Sequence, residues 1–216
     1  VAVFEPQRSG TFPALLVVHG SSGPVSSFVG DYAQQLANFG YVAFFVHYFD
    51  ATGTAYASYS QICTHFESWM STLADAVSFA ERHRKVDPGR IGLLGVSLGG
   101  YLSLSLASQD SRVLAVASLM GGMPPEIRSQ VRRMPPTLLL HGKADPVVPV
   151  TEAYAVDNLL KRLGAEHELK VYAGQGHSFR GMAQMDALAR MLRFFQRHLR
   201  QEHAVFGPKD LLLSFR

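Results

Sequence analysis

The stretch G-L-L-G-V-S-L-G-G, residues 92–100, decides the fold of this chain. An apolar run ends at Ser97, with Gly95 two positions before it and Gly99 two positions after it. This G-x-S-x-G pattern is typical of a sharp turn from a strand into a helix, which raises the serine hydroxyl above the edge of a sheet. Glycine is favoured at the two flanking positions because side chains there would collide with the turn. The stretch therefore predicts a nucleophilic serine between a buried strand and a helix.

Apolar runs on both sides of this turn predict strands that alternate with helices. We expect strands over residues 1–5, 14–18, 41–48, 91–96, 113–119, 137–142 and 168–173, and helices over 26–38, 65–84, 151–163, 181–200 and directly after Ser97. Uniformly apolar runs such as 14–18 are typical of strands covered on both faces. The alternation predicts an α/β fold, with a mostly parallel central sheet flanked by helices on both faces. Residues 1–216 are expected to form one domain.

The composition is that of an ordinary globular protein. Of 216 residues, 47 % are hydrophobic and 17 % charged, which excludes a disordered chain. The net charge of +3 is spread along the chain, and we interpret its densest cluster, residues 82–85, as a solvated helix end and not as a nucleic-acid patch. No apolar run approaches the ~18 residues of a membrane span. We therefore expect neither nucleic acid nor membrane as a partner.

The single cysteine, Cys63, excludes an internal disulfide framework and a cysteine metal cluster. It is expected to be a half-buried thiol without a catalytic role. The chain starts at Val1 inside a predicted strand, so we expect that the true N-terminus precedes it. A cytoplasmic location is favoured, and secretion stays open because a targeting segment could have been present. The sequence does not indicate an oligomeric state.

Four candidate reactive segments follow predicted strands, at residues 19–23, 97–100, 142–149 and 174–180. In a parallel sheet the ligand crevice lies outside the carboxyl ends of the strands, so these segments are expected to meet there. A serine hydroxyl is a weak nucleophile and needs an adjacent base, which is in turn oriented by an acid.

The base is chosen among nine histidines by position. His177 is favoured because it lies in the glycine-rich loop A-G-Q-G-H after the last predicted strand. His19 and His141 end strands and precede glycine, and we expect their rings to form local hydrogen bonds. His47 is interpreted as either a core residue or a wall of the substrate pocket. The others are expected to be solvated on helices.

Asp145, in the segment H-G-K-A-D-P-V-V-P, is the candidate acid, although an Asp-Pro pair often only initiates a turn. The order Ser97, Asp145, His177 is that of nucleophile, acid and base in α/β-hydrolases. Asp50 precedes the serine and would break this order. The oxyanion hole is expected to use the N–H groups of Leu98 and of Ser21, with Ser22 as the second choice.

Five segments together cover most of the chain and resemble the dienelactone hydrolase family of the α/β-hydrolase superfamily: H-G-S-S-G, Y-F-D-A-T-G-T, D-P-G-R-I-G-L-L-G-V-S-L-G-G, H-G-K-A-D-P-V-V-P and G-Q-G-H-S-F. The resemblance implies a compact hydrolase without a large cap, a metal or a cofactor. The defining members carry cysteine as the nucleophile, where this chain has Ser97. They also bind the substrate's carboxylate through arginines, and here only Arg180 occupies a comparable place. The resemblance thus supports hydrolase chemistry better than a dienelactone substrate.

The sequence predicts a serine hydrolase that cleaves a small carboxylic ester or lactone through an acyl-enzyme. Arg180, Ser22 and His47 are candidate substrate-binding residues. A thioesterase, a peptidase or an acyltransferase would use the same residues, and a non-catalytic small-molecule receptor could have the same fold. A dinucleotide-binding protein is disfavoured, since no G-x-G-x-x-G follows the first strand.

Overall fold

The computed structural model describes residues 1–24 and 33–200. Seven strands form one sheet in the order β1-β3-β2-β4-β5-β6-β7, and only β1 runs antiparallel to its neighbour. The strands are β1 (Ala2–Phe4), β2 (Phe12–Val18), β3 (Val42–Val46), β4 (Val86–Val96), β5 (Val113–Leu119), β6 (Thr137–Gly142) and β7 (His167–Tyr172). The predicted, mostly parallel sheet is confirmed.

Helices cover both faces of this sheet. They are α1 (33–38), α2 (Tyr59–Glu81), α3 (Leu98–Gln109), α4 (Pro125–Gln130), α5 (Val150–Leu163) and α6 (Met182–Leu199), with a 3-10 helix over Tyr48–Thr52. Helices α2, α3 and α5 pack with one side of the strands, and α1 and α6 pack with the other. Successive residues of a strand point to opposite faces, so Leu16 joins the first core and Leu15 the second. This two-sided burial explains why the strands are uniformly apolar.

Several predicted boundaries differ from the structure. Helix α2 begins at Tyr59, earlier than expected, because Ser58 and Gln61 form a reciprocal capping box. The 3-10 helix occupies part of the loop predicted after β3. Residues 87–89, expected to form a turn, belong to β4. The expected helix over 26–38 lies partly outside the described residues, which show only its end, and residues 207–216 lie wholly outside them.

Three burial predictions are wrong. Cys63 is exposed, because it lies on the outer face of α2. The helical period over 181–200 also predicts that Met182 and Met185 face the core, yet Met182 is 84 % exposed and Met185 is 43 % exposed. The buried stripe of α6 begins at Ala187, with Ala183 partly buried against the same core, and neither methionine belongs to it. Among the described residues, no helix is long and apolar enough to cross a bilayer.

Candidate active site

Ser97 stands between β4 and α3 in a backbone conformation that L-residues rarely adopt, with φ 55° and ψ −120°. Its N–H donates to the carbonyl of Leu119, 2.8 Å away, on the neighbouring strand β5. A Cβ added at Gly95 would lie 2.1 Å from the carbonyl oxygen of Gly99, and one added at Gly99 would lie 2.1 Å from that of Val18. The glycines at the turn are therefore a steric requirement, as the pattern predicts.

A continuous hydrogen-bonded chain joins Ser97, His177 and Asp145. His177 Nε2 lies 2.9 Å from Ser97 Oγ, and His177 Nδ1 lies 2.8 Å from Asp145 Oδ2. A carboxylate can only accept, so Nδ1–H donates to Asp145 and the neutral ring leaves Nε2 to accept from the serine hydroxyl. The structure thus brings together the three residues that sequence reasoning selected. They come from the loops that follow β4, β6 and β7.

The Asp145 carboxylate is held as an anion under the histidine. Its side chain is fully buried, and burial by itself would raise the pKa of Asp145. The hydrogen bond from His177 and the N–H groups of Val148 and Val147 outweigh that effect and lower the pKa below its ordinary value. Both N–H groups donate to Oδ1, at 3.0 Å and 2.8 Å. The other oxygen is left for the histidine ring.

The loop after β2 packs directly against the serine. A Cβ added at Gly20 would lie 3.2 Å from Ser97 Cβ, so this loop runs along Ser97 with no side chain between them. The Ser21 carbonyl accepts from the N–H of Ala57 at 2.8 Å, which ties the loop to the segment after the 3-10 helix. Leu98 is the first residue of α3, where the helix offers its N–H groups no carbonyl acceptor. Both predicted oxyanion donors therefore belong to segments that flank Ser97.

The three predicted substrate-binding residues, Arg180, Ser22 and His47, are less closely grouped than Ser97, His177 and Asp145. Arg180 and Ser22 are exposed, and the N–H of Arg180 donates to the Gln175 side chain. The His47 ring is half-buried and contacts Phe45, with ring centroids 4.8 Å apart.

Among the other described histidines, His19 and His141 form local hydrogen bonds and His167 contacts a carboxylate. His19 Nδ1 lies 2.8 Å from the Gly20 carbonyl, and His141 Nε2 lies 2.9 Å from that of Val148. Both therefore form the local hydrogen bonds that were expected. His167 is on β7 and not on a helix, and it pairs with Asp157 at 3.2 Å because that carboxylate on α5 faces the strand.

Sequence reasoning missed two residues that shape this site. The buried Tyr48 hydroxyl donates to the His19 carbonyl at 2.9 Å, and its ring stacks on the His19 ring at 4.2 Å, which supports the loop beside Ser97. Met120, with φ 51°, continues the chain after β5 and donates its N–H to Leu140 at 2.8 Å. A tyrosine after an apolar strand and a methionine before two glycines carry no distinctive signal in a single sequence.

A cavity of about 430 Å³ adjoins this hydrogen-bonded chain. His177 and Gly20 lie in its wall, together with Met120. His47, Ser22 and Arg180 are not among the described residues that line it. Within residues 1–24 and 33–200, no group of three histidine, cysteine, aspartate or glutamate side chains is arranged to hold a metal ion.

Known proteins resemble this chain in sequence and in fold. The model of the dienelactone hydrolase family matches residues 1–199. A protein of Methylorubrum extorquens named carboxymethylenebutenolidase is 28 % identical over 193 residues, which are 81 % of this chain and 65 % of the relative. A bile acid-CoA:amino acid N-acyltransferase of Mus musculus is 28 % identical over 74 % of this chain and 34 % of its own length. The chain thus spans less than two thirds of either relative.

A solved structure from Klebsiella pneumoniae, named as a dienelactone hydrolase, superimposes with a TM-score of 0.77. It is 21 % identical, and the match covers 90 % of this chain and 91 % of the other. At this identity the likeness shows the fold, which is that of the α/β-hydrolases.

Proposed function

Because the chain belongs to the dienelactone hydrolase family, we propose that it hydrolyses carboxylic esters or lactones through an acyl-enzyme formed on Ser97. The observation that carries this proposal is the unbroken hydrogen-bonded chain from Ser97 Oγ through the His177 ring to Asp145. Nucleophile, base and acid within hydrogen-bond distance of one another are the arrangement that activates a serine.

In the first step Ser97 Oγ attacks the ester carbonyl, and its proton moves to His177 Nε2. The carbonyl oxygen becomes an oxyanion that accepts from the N–H groups of Leu98 and Ser21. Negative charge is also favoured there because the N-terminal end of α3 points at it. When the tetrahedral intermediate collapses, the bond to the alcohol breaks and His177 returns the proton to the leaving oxygen. Ser97 is left acylated.

In the second step a water molecule takes the place of the alcohol. His177 Nε2 removes a proton from the water as it attacks the acyl carbonyl, and then returns that proton to Ser97 Oγ. The products are the carboxylic acid and the free enzyme. Asp145 stays ionised throughout, keeps the Nδ1 proton on the far side of the ring and stabilises the imidazolium that forms in each step.

Replacing the nucleophile tests this assignment. Ser97→Ala removes the attacking oxygen, so we expect turnover of an activated ester such as p-nitrophenyl acetate to fall by a factor of about 10³ or more. A serine-directed fluorophosphonate should label the wild-type protein and leave the variant unlabelled. Circular dichroism and the thermal midpoint verify that the variant is folded. Unchanged turnover, or equal labelling of both proteins, would refute the assignment.

Acyl transfer to a nitrogen or from a thioester is the alternative that the relatives favour, since one of them is named an N-acyltransferase. It would use the same Ser97 and His177, with an amine replacing water or with a thiol as the leaving group. Rates on matched esters, thioesters and anilides, measured with and without an added amine, separate these reactions. A receptor function would require that neither turnover nor fluorophosphonate labelling occurs.

A further inference from the structure

The cavity beside His177 is large enough to hold part of a substrate. Its volume of about 430 Å³ falls in the range of roughly 300–1,000 Å³ that is usual for small-molecule sites. It lies on the face of the sheet that carries α1 and α6. The described residues that supply its apolar wall are the strand-end residues Val17, Leu94 and Leu119 and the helix residues Leu36, Ala187 and Met191.

The wall is almost devoid of charge. Among the described lining residues none is Lys, Arg, Asp or Glu, and the ionisable ones are His177 and His19. Burial lowers the pKa of His19 to about 4, so that ring is neutral at ordinary pH. A carboxylate placed in this cavity would lose its hydration without gaining a cationic partner from these residues. A hydrocarbon chain has no favourable hydration to lose. The cavity therefore favours hydrocarbon.

The cavity adjoins the reacting atoms. His177, whose Nε2 is 2.9 Å from Ser97 Oγ, forms one side of it, and Gly20, which packs against Ser97, forms another. A chain seated in the cavity can therefore be bonded to a carbonyl carbon at Ser97.

We propose that this cavity binds a hydrocarbon chain of the substrate, so that the enzyme acts on uncharged esters with an extended apolar chain. Either the acyl chain or the alcohol of the ester can supply this hydrocarbon. Arg180, the one residue that resemblance offered for a substrate carboxylate, is exposed and does not line the cavity. The proposal rests on the ester hydrolysis proposed above and specifies its substrate class.

Two ester series test it with the wild-type protein. In one, p-nitrophenyl esters carry linear acyl chains from two to twelve carbons; in the other, acetates carry linear alkyl alcohols of the same lengths and are followed in a pH-stat. We expect kcat/KM to rise about fourfold per methylene in one series until the cavity is full. A rise with acyl length or with alkyl length supports the proposal and identifies the source of the chain. Two flat series overturn it.

A charged analogue of equal length provides the second arm. The mono-p-nitrophenyl ester of octanedioic acid carries a terminal carboxylate where the octanoate ester ends in a methyl group, and the matching acetate is that of 8-hydroxyoctanoic acid. In whichever series rises, we expect the charged ester to react roughly tenfold more slowly, or worse, because its carboxylate would be buried unpaired. Equal or faster reaction of the charged ester contradicts the proposal.

A substitution in the wall links the chain preference to this cavity. Ala187 on α6 is 4 % exposed and lines it, and Ala187→Phe should fill part of the volume. The ratio of kcat/KM for the long ester to that for the two-carbon ester should fall about tenfold. Ala189→Phe, the same change on a half-buried position of α6 away from the cavity, is the matched control and should retain the wild-type ratio. Equal ratios in both variants contradict the proposal.

If Ala187→Phe does not fold, Ala187→Leu repeats the measurement with a smaller side chain. The wild-type ester series do not depend on either variant.

The proposed reaction and the proposed hydrocarbon site are refuted by different results. If Ser97→Ala keeps its turnover, the reaction itself has been assigned wrongly. If hydrolysis depends on Ser97 but ignores chain length, only the hydrocarbon site is wrong.

Discussion

Gly95 and Gly99 show how backbone contacts, and not side-chain chemistry, set the position of Ser97. Gly99 is where α3 crosses the end of β2, and a Cβ there would meet the carbonyl oxygens of Val18 and His19 at 2.1 Å and 2.5 Å. Backbone atoms on neighbouring strands cannot rotate away as a flexible side chain can. Any larger residue must therefore displace α3 from the sheet, and Ser97 with it.

Gly99→Ala should thus destabilise the protein by about 3 kcal/mol or more, at the upper end of what overpacking costs. Gly89→Ala is the matched control, because a Cβ at Gly89 has its nearest neighbour at 3.5 Å, an ordinary contact. Urea unfolding of both variants measures the difference. The steric interpretation is refuted if Gly99→Ala is as stable as Gly89→Ala.

Asp145 offers a prediction about rate. In Asp145→Asn a neutral amide replaces the carboxylate and cannot stabilise an imidazolium by charge. If its oxygen keeps the N–H groups of Val147 and Val148, its NH2 group faces His177 Nδ1 and favours the wrong tautomer. We expect kcat for an activated ester to fall by a factor of about 10²–10⁴. Asp157→Asn, which alters a similarly buried aspartate paired with Lys161 on α5, should retain wild-type turnover. Comparable losses in the two variants would mean that the Asp145 effect is one of folding.

The residues of the site differ in how far a single sequence could predict them. Ser97, Asp145 and His177 each follow a strand in a segment with its own glycine or proline signature, so the parallel-sheet rule places them at one edge. Their roles stay predictions until the variants are measured. Tyr48 and Met120 could not be selected because their contribution is a contact made in the folded chain. No local pattern encodes such a contact.

At the scale of elements, α2 and the 3-10 helix form a unit that supports the loop beside Ser97. The Trp69 ring is fully buried, and its Nε1–H donates to Thr52 Oγ1 at 2.9 Å. The same segment reaches the loop after β2 through the bond from Ala57 to Ser21. The helical pattern over 65–84 predicts that Trp69 is a packing residue, its burial agrees with this, and its hydrogen bond adds a polar contact.

Thr52→Val keeps the shape of the side chain but leaves the buried indole N–H without an acceptor. We expect a loss of about 1–3 kcal/mol in the free energy of unfolding. Thr64→Val, at an exposed position of α2, should change it by less than about 0.5 kcal/mol. Fluorescence of the single tryptophan follows the unfolding of both. Equal stabilities of the two variants would show that this hydrogen bond contributes nothing.

The predicted elements agree with the structure where the hydrophobic period and the length of a run indicate the same kind of element. They differ from it at the ends of elements. Strands β5 and β6 match their expected bounds because each mainly apolar run has a polar residue, proline or glycine at its end or within two positions of it. The first turn of α6 continues the helical period of the core stripe, yet Met182 is exposed. Periodicity predicts which side of a helix is apolar, but it does not predict which turns of the helix are buried.

At the scale of the whole molecule, His19 makes stability depend on pH. Burial lowers its pKa to about 4, whereas an unfolded histidine titrates near 6.5. Between these values the unfolded chain binds a proton that the folded chain excludes, so acid favours unfolding. The contribution of His19 to stability is complete above about pH 6.5 and is lost progressively as the pH falls towards 4.

From this group alone the protein should lose about 2 kcal/mol of unfolding free energy between pH 7 and pH 5. His19→Gln cannot titrate, so its loss over the same range should be smaller than that of the wild-type protein by about that amount. Urea unfolding at pH 7 and pH 5 measures this loss for both proteins. The comparison does not depend on how far the substitution lowers the unfolding free energy at pH 7. Equal losses in the two proteins would exclude His19 as the source of this pH dependence.

The hydrogen bond between Ser97 and His177 joins residues 80 positions apart, and that between His177 and Asp145 spans 32. Contacts between such distant parts of a chain close slowly, because a long loop must first be ordered. Helices need only local contacts, so a refolding chain can regain them before the loop that follows β7 reaches Ser97 and Asp145. Its circular dichroism would then recover ahead of the proposed ester hydrolysis. The proposed activity therefore reports when these three residues have come together, which circular dichroism does not.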